Sequence, residues 1–419
     1  MICLATLVLL AGEGPARIPL HSRSVALGAD GVLRLVAPDQ TPNYVAGTRV
    51  AVGGTVGLAQ AQLDWVASGW DPRRAGLPAD RADMAYWALV DLKTLLLADG
   101  AQLAAASPAW HHVWPRDASF AAVAFAASGH LDDAAAVLTF LDQAEHEDGV
   151  FAARYHPDGT PVADGREPQL DGCGWVLWAL DQVAGVVGSE LGPAEARQLV
   201  ARFAALRDRS VAAILAALEE DGLPGPSPDY WERREHELTL GVAAPLLAGL
   251  QSAGRLYQLQ DPDNQLRIPA AEAAITLSQQ ISVQFGPDFH RYRGSEAADS
   301  AVAMLMQPFV SGFEGEAEPA WAEAQVELSR AGGGLAPGAA WKRDGVSWTP
   351  ETALFAYTAA AAGDWSHAEG WLYWLADHRT ADGALPEKVL ANGEPASAAP
   401  LAWTCALVIL TERTLAESR

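Results

Sequence analysis

Three segments of this 419-residue chain combine residue types that can do acid–base chemistry. In Ser227-Pro228-Asp229-Tyr230-Trp231-Glu232-Arg233-Arg234 a carboxylate follows two aromatic residues at a loop-to-helix junction. Aromatic walls desolvate a carboxylate and raise its pKa, as a general acid requires. Asp229 and Arg233 would modulate Glu232 in opposite directions. The plainer alternative is a helix start with acids in its first turn. That accounts for Glu232 but not for Tyr230 and Trp231 in a polar loop. In Asp382-Gly383-Ala384-Leu385-Pro386-Glu387-Lys388-Val389 the Leu-Pro step fixes an extended backbone before Glu387. A rigid loop carboxylate suits a general base holding water; a solvated loop acid is the alternative. The third segment is His111-His112-Val113-Trp114-Pro115-Arg116-Asp117. Arg116 offers a planar fork of donors and Asp117 an acceptor, so together they can grip vicinal hydroxyls with Trp114 as a stacking wall. An Arg–Asp pair capping the next helix fits the same spacing. Adjacent His111 and His112 share no helix face and have no acidic partner at ligand spacing. No metal site and no cofactor is expected.

Two carboxylates on one face, with aromatic residues and an Arg–Asp clamp, form the arrangement that glycoside hydrolysis needs. One protonates the leaving oxygen and the other activates water from the opposite side. The sequence spacing, 387 − 232 = 155, gives no distance. The fold has to bring the two together.

Composition narrows the ligand. Lys+Arg 28 against Asp+Glu 52 gives a net charge of −24. Such a surface repels phosphate backbones, which disfavours nucleic acid and anionic membranes. Fifteen Trp outnumber both Tyr and Phe. Planar apolar faces carrying one N–H suit sugar rings, although Trp also packs helices. Cys3, Cys173 and Cys405 are too few and too odd for a disulfide framework, so a reducing compartment is allowed and the expected location is cytoplasmic. The apolar run from Met1 to Ala11 lacks a basic leader region and is read as a first strand, with secretion left open. No uninterrupted apolar stretch is long enough to predict a spanning helix.

Two regions would position the chemistry. Residues 1–78 hold short β-type runs (Ser24–Leu27, Val32–Val36, Tyr44–Val52) divided by Gly, Asp and Pro, a small β-rich N-terminal segment. Residues 79–419 are Ala/Leu-rich with helical spacing. Twelve helices are predicted there, at about 80–99, 117–129, 131–145, 171–187, 193–219, 233–254, 266–284, 296–308, 316–331, 349–362, 365–378 and 399–417. Short links alternate with long ones, and the long links hold many of the Trp, Arg and acidic residues. If helices run up and down, the long links share one end of the molecule. An internal repeat supports this. Ser128-Gly129-His130 leads to Asp148-Gly149, and Ala362-Gly363-Asp364 leads to Asp382-Gly383, at an offset of 363 − 129 = 234. Six helix hairpins closing as a mainly α (α/α)6 barrel is the expected architecture. An open solenoid is the alternative.

At these segments the chain resembles glycoside hydrolase family 15, the glucoamylase family of (α/α)6 enzymes. The likeness spans about residues 80–417. It rests on Trp114-Pro115-Arg116-Asp117, Pro168-Gln169-Leu170-Asp171-Gly172, Trp231-Glu232-x-Arg, Leu385-Pro386-Glu387 and Pro400-Leu401-Ala402-Trp403, in the family's order. The resemblance implies an inverting, exo-acting hydrolase of α-glucosidic oligosaccharides or polysaccharides, with Glu232 as general acid and Glu387 as general base. It implies that Arg116 and Asp117 bind hydroxyls of the terminal sugar, that Tyr230 and Trp231 line the first subsite, and that Trp348 is the substrate-binding Trp after the fifth long link, with Arg343 as the matching arginine. The family's bacterial members often carry a β-sandwich before the barrel, and fewer than 80 residues here imply a reduced version. The chain departs from the family pattern at Trp110 and His112, where Tyr is common. It departs again at Thr404-Cys405, where Ser-His is usual; the Thr404 hydroxyl would support Glu387. These departures bear on substrate more than on chemistry. A trehalase or phosphorylase on the same toroid, or an inert sugar-binding protein, stays open.

Overall fold

The computed structural model describes residues 17–53 and 56–417. The apolar run 1–11, expected as a strand, lies outside them. Strands β1 (Ser24–Leu27) and β2 (Leu33–Val36) pair antiparallel, Ser24 opposite Val36 and Leu27 opposite Leu33. The third expected β-run, 44–52, makes isolated bridges such as Tyr44–Ala51. It is followed by a helix that the β-type reading of this region missed, α1 (Val56–Ser68). Its Trp65 stacks on His130 at 3.7 Å and donates to Asp133 at 2.6 Å, so α1 is held from outside rather than by its own propensity.

The barrel follows. In chain order it contains α2 (Ala79–Leu95), α3 (Pro115–Ala127), α4 (Leu131–Ala144), α5 (Asp171–Glu190), α6 (Pro193–Arg202), α7 (Ala204–Ala217), α8 (Leu240–Leu259), α9 (Arg267–Phe285), α10 (Glu318–Glu327), β3 (Ser347–Trp348), α11 (Thr349–Ala361), α12 (Trp365–Asp377), β4 (Lys388–Val389), β5 (Pro395–Ala396) and α13 (Ala402–Glu417). The short strands β3, β4 and β5 form one antiparallel sheet. Helices α3, α5, α8, a buried 3₁₀ segment (Ser300–Leu305), α11 and α13 pack in that order, and α13 returns to α3. That is a closed inner ring of six. Each member is backed from outside, by α4, α7, α9, α10, α12 and α2 respectively. The inner helices are apolar almost all round because both faces are covered.

Three helices differ from expectation. The stretch 296–308 forms only the 3₁₀ segment Ser300–Leu305. Asp299 caps it by accepting from the Ala301 N–H at 2.9 Å, and Pro308 cannot continue a helix and biases Gln307 away from it. The helix expected over 193–219 breaks at buried Phe203 (φ −104°, ψ 22°). The one expected from 233 begins at Leu240, because residues 233–239 are drawn into the cleft network described below. The internal repeat is real in the backbone. Gly129 and Gly363 hold φ +82° and +79° at the reversals from α3 to α4 and from α11 to α12.

The N-terminal segment is bound to the barrel by charge. Buried Arg49 pairs with buried Asp91 of α2 through two bonds of 2.6 and 2.9 Å, and Arg23 pairs with Asp382 at 2.5 Å. Closure of the ring is reinforced by Arg81 of α2. Its Nε and Nη2 meet the two oxygens of Glu412 on α13 at 2.8 and 2.6 Å, with both side chains fully buried. Removing one member of such a pair leaves the other charge uncompensated. Glu412→Ala is expected to destabilise the fold by about 3–5 kcal/mol in urea unfolding, and Arg81→Met with Glu412→Leu to recover most of that loss. Equal stability of wild type and Glu412→Ala would contradict this role.

Candidate active site

The long links meet at one end of the ring around a cavity of about 340 Å³. Five of the six supply lining residues: Trp110 and Trp114 from the first, Arg154 and Arg166 from the second, Tyr230, Trp231 and Glu232 from the third, Trp341 and Trp348 from the fifth, and Glu387 from the last. Arg116 and Asp117 at the start of α3 and Glu351 at the start of α11 also line it, with Trp403 of α13. The structure therefore brings eight of the nine residues singled out in the sequence to one cleft. The exception is Arg343, which is exposed and lies outside the lining. Arg154 and Arg166, which carried no sequence signal, stand at the cavity instead.

Glu232 sits on a strained turn. Its φ is +57°, a left-handed conformation that costs a non-glycine residue about 1–3 kcal/mol. Asp229 makes the turn: its carbonyl accepts the Glu232 N–H at 2.8 Å and its carboxylate accepts the Trp231 N–H at 2.9 Å. Asp229 is held in turn by buried Arg291, whose guanidinium also contacts Glu235 at 2.7 Å and Asp299 at 3.2 Å and lies 3.8 Å from the Trp231 ring. Tyr230 lines the cavity, but its hydroxyl is turned away to Asp299, Ser300 and the Pro337 carbonyl. The aromatic row continues edge to face from Trp231 to Trp341 at 4.8 Å and from Trp341 to Trp348 at 5.5 Å.

The surroundings of Glu232 differ from the apolar pocket expected. Its Oε1 accepts from Trp114 Nε1 at 3.1 Å and from Gln169 Nε2 at 2.8 Å, with Arg116 Nη2 at 3.7 Å; its Oε2 accepts from Arg166. Trp114 is thus a donor to the carboxylate as well as a wall. Glu387 is carried by the sheet of β3, β4 and β5. Its Oε2 accepts from Ser397 and lies 3.2 Å from Lys388 Nζ, and its Oε1 lies 3.4 Å from Trp110 Nε1. Trp110 and Trp114, four residues apart in one link, each hold one of the two carboxylates. Thr404 does not touch the Glu387 carboxylate. It bonds Thr349 at 2.8 Å, and Thr349 donates to the Pro386 carbonyl, so the support reaches Glu387 through its backbone. The N-terminal segment braces the same hairpin: the Ala399 N–H donates to Ser22 at 3.1 Å and the His21 N–H to the Ser397 carbonyl at 2.7 Å.

The floor is charged and buried. Arg116 faces Asp117 at 3.3 Å and Asp171 at 3.5 Å, and lies 4.8 Å from the Trp403 ring. Burial pushes Asp117 up to about 6 and Asp171 up to about 7, against the pull of Arg116. Burial likewise raises Glu351 to about 8, opposed by its backbone N–H and aided by the neighbouring Glu387. Six buried polar atoms of lining residues have no hydrogen-bond partner among the described residues: Arg116 Nε, Asp117 Oδ2, Arg154 Nε, Trp231 Nε1, Glu351 Oε2 and Trp403 Nε1. A buried group left unpaired costs about 1–3 kcal/mol, and these six gather at one cavity. No group of His, Cys, Asp and Glu among the described residues could hold a metal ion. No helix among them is long and apolar enough to cross a membrane.

No family model matches the chain. Its sequence is similar to that of an isomaltose glucohydrolase from Kribbella flavida, 27% identical over 271 residues; the match covers 62% of this chain and 65% of that relative. Its structure is similar to that of a glycosidase variant in complex with glucose, with TM-score 0.69 and 23% identity over 81% of this chain and 99% of that one. It is also similar to a bacterial glucoamylase complexed with acarbose, with TM-score 0.66 and 15% identity over 85% of this chain and 58% of that one. The (α/α)6 fold of this chain is the glucoamylase-like one.

The raised Glu351 gives a sign to the pH dependence of stability. Its ordinary value is 4.5 and its folded value about 8. Stability linked to it is full below the ordinary value and is lost as pH rises through the folded one. Glu351→Gln is therefore expected to melt above wild type at about pH 8.5 and close to it at about pH 5 in thermal scans. Parallel profiles for the two proteins would contradict the assignment.

Proposed function

We propose that this protein is an inverting, exo-acting glycoside hydrolase that releases terminal glucosyl units from α-glucosidic oligosaccharides or polysaccharides. The observation that carries the reading is the cavity's pairing of two held carboxylates with a floor of unpartnered donors and acceptors. A ring of vicinal hydroxyls satisfies such a floor, as each hydroxyl both donates and accepts. Arg116, Asp117 and Glu351 take the hydroxyls, and Trp231, Trp348 and Trp403 cover the apolar faces of the sugar. Trp114 and Tyr230 wall the site.

Glu232, the general acid, gives a proton to the glycosidic oxygen as the bond from that oxygen to the anomeric carbon breaks. Glu387, the general base, takes a proton from water as the water oxygen bonds the anomeric carbon from the opposite side. Ser397 and Lys388 fix Oε2 of Glu387 and leave Oε1 with only the long contact to Trp110 among the described residues. Oε1 is the oxygen available to a water. The likeness to an isomaltose glucohydrolase and to a glycosidase holding glucose supports a glucosyl unit in the site.

The test is glucose release from maltose, isomaltose, trehalose, maltooligosaccharides and dextran. Glu232→Gln and Glu387→Gln are each expected to keep the fold, checked by circular dichroism, and to lose about 10²–10⁴-fold in kcat. Undiminished hydrolysis in either variant would refute the assignment.

A further inference from the structure

We propose that a second cavity beside Glu232 receives an anionic leaving group, and that Arg166 moves from Glu232 to that anion when substrate binds. This deepens the hydrolase reading and rests on it. The second cavity, of about 250 Å³, is lined by Gly165, Glu167, Gln169, Arg233 and Arg234, with Pro228. Arg166 and Glu232 line it too, and they are the two residues that it shares with the sugar cavity. These two are ion-paired, so their contact stands between the cavities.

Glu232 has one oxygen to offer. Oε1 is filled by Trp114 and Gln169, at 3.1 and 2.8 Å. Oε2 carries only Arg166 among the described residues. The oxygen that hands its proton to a leaving group is therefore Oε2, and Arg166 covers it. Arg166 can uncover it without coming loose, because its Nε is anchored to Asp164 at 3.1 Å while the half-exposed side chain keeps its length. A freed guanidinium fork needs a new acceptor.

The second cavity supplies positive charge for one. Arg233 carries no ion pair among the described residues and lies 5.9 Å from the Trp231 ring. Arg234 is paired with Glu167 at 3.0 Å. With Glu232 protonated, as its role requires, Arg166, Arg233 and Arg234 stand against Glu167 in the lining and Asp164 behind Arg166, a balance of 3 − 2 = +1. That recess sits on a chain of net charge −24, on the side where the proton is delivered. A carboxylate or phosphate on the aglycone fits planar arginine forks there.

The experiment compares kcat/KM for maltobionate against maltitol, and for isomaltobionate against isomaltitol. Each pair shares its glucosyl unit and linkage and differs by a carboxylate for a hydroxymethyl group. The aldonate is expected to be favoured about tenfold, as a charge-assisted contact would give. That ratio is expected to fall towards one in about 1 M salt and in Arg233→Gln. A wild-type ratio of one or less, or a ratio unchanged in Arg233→Gln, would overturn the proposal. If neither member of either pair is hydrolysed, nor maltose or isomaltose, the hydrolase reading has failed instead. Calorimetric titration of the same four compounds then decides the inference: tighter aldonate binding upholds it and equal binding overturns it.

Discussion

The cleft depends on one buried guanidinium. Arg291 is removed from solvent with three carboxylates, Asp229, Glu235 and Asp299, around it. Burying so many charges is costly unless all are paired, and here the pairing sets geometry. Through Asp229, Arg291 fixes the turn that places Glu232 at φ +57°. Through its carbonyl, which accepts the Leu240 N–H at 2.9 Å, it fixes where α8 begins. Through Asp299 it fixes the hydroxyl of Tyr230 and the cap of the Ser300–Leu305 segment. The fourth long link supplies no wall of the cavity, yet it holds the wall that carries the proposed acid.

The two proposed catalytic carboxylates are supported in different ways. Glu232 stands on a strained turn and is met by N–H donors. Glu387 stands on a short sheet, braced by Ser397 and Lys388 and by an N-terminal segment that packs under the same hairpin. The link bearing Trp110 and Trp114 touches both. Its own place is fixed by a bridge between Val113 and Tyr155, which ties the first long link to the second. A displacement of any one link would therefore be felt at both carboxylates. Strain at Glu232 persists because neighbouring links over-determine the turn.

Much of this was legible in the sequence. Helical periodicity from residue 79, the alternation of short and long links and the repeat at Gly129 and Gly363 point to six hairpins, and the packing of α13 on α3 makes them a ring rather than an open solenoid. Local motifs marked Glu232, Glu387 and the Arg116–Asp117 clamp, because each combines unusual residue types within a few positions. What failed to show was whatever depends on distant partners. Arg291 and Asp299 sit in ordinary polar text, and only the folded ring makes Arg291 a bridge from the fourth link to the turn that carries Glu232. Arg343 was the arginine singled out along the chain and Arg166 was not, but the loop exposes the first and aims the second at Glu232. The helix expected over 296–308 had the right composition for the inner ring and kept its burial, while Pro308 denied it length. The apolar shell expected for Glu232 was read from its neighbours Tyr230 and Trp231, whereas its contacts come from residues 63 and more positions away.

In the proposed reaction Glu232 and Glu387 act from opposite sides of one glucosyl unit, one giving a proton and the other directing water. Proton NMR of an α-glucoside during its first turnovers tests this most directly, because the anomeric signals separate before mutarotation mixes them. With inversion, β-glucose appears first. Initial release of α-glucose would contradict it.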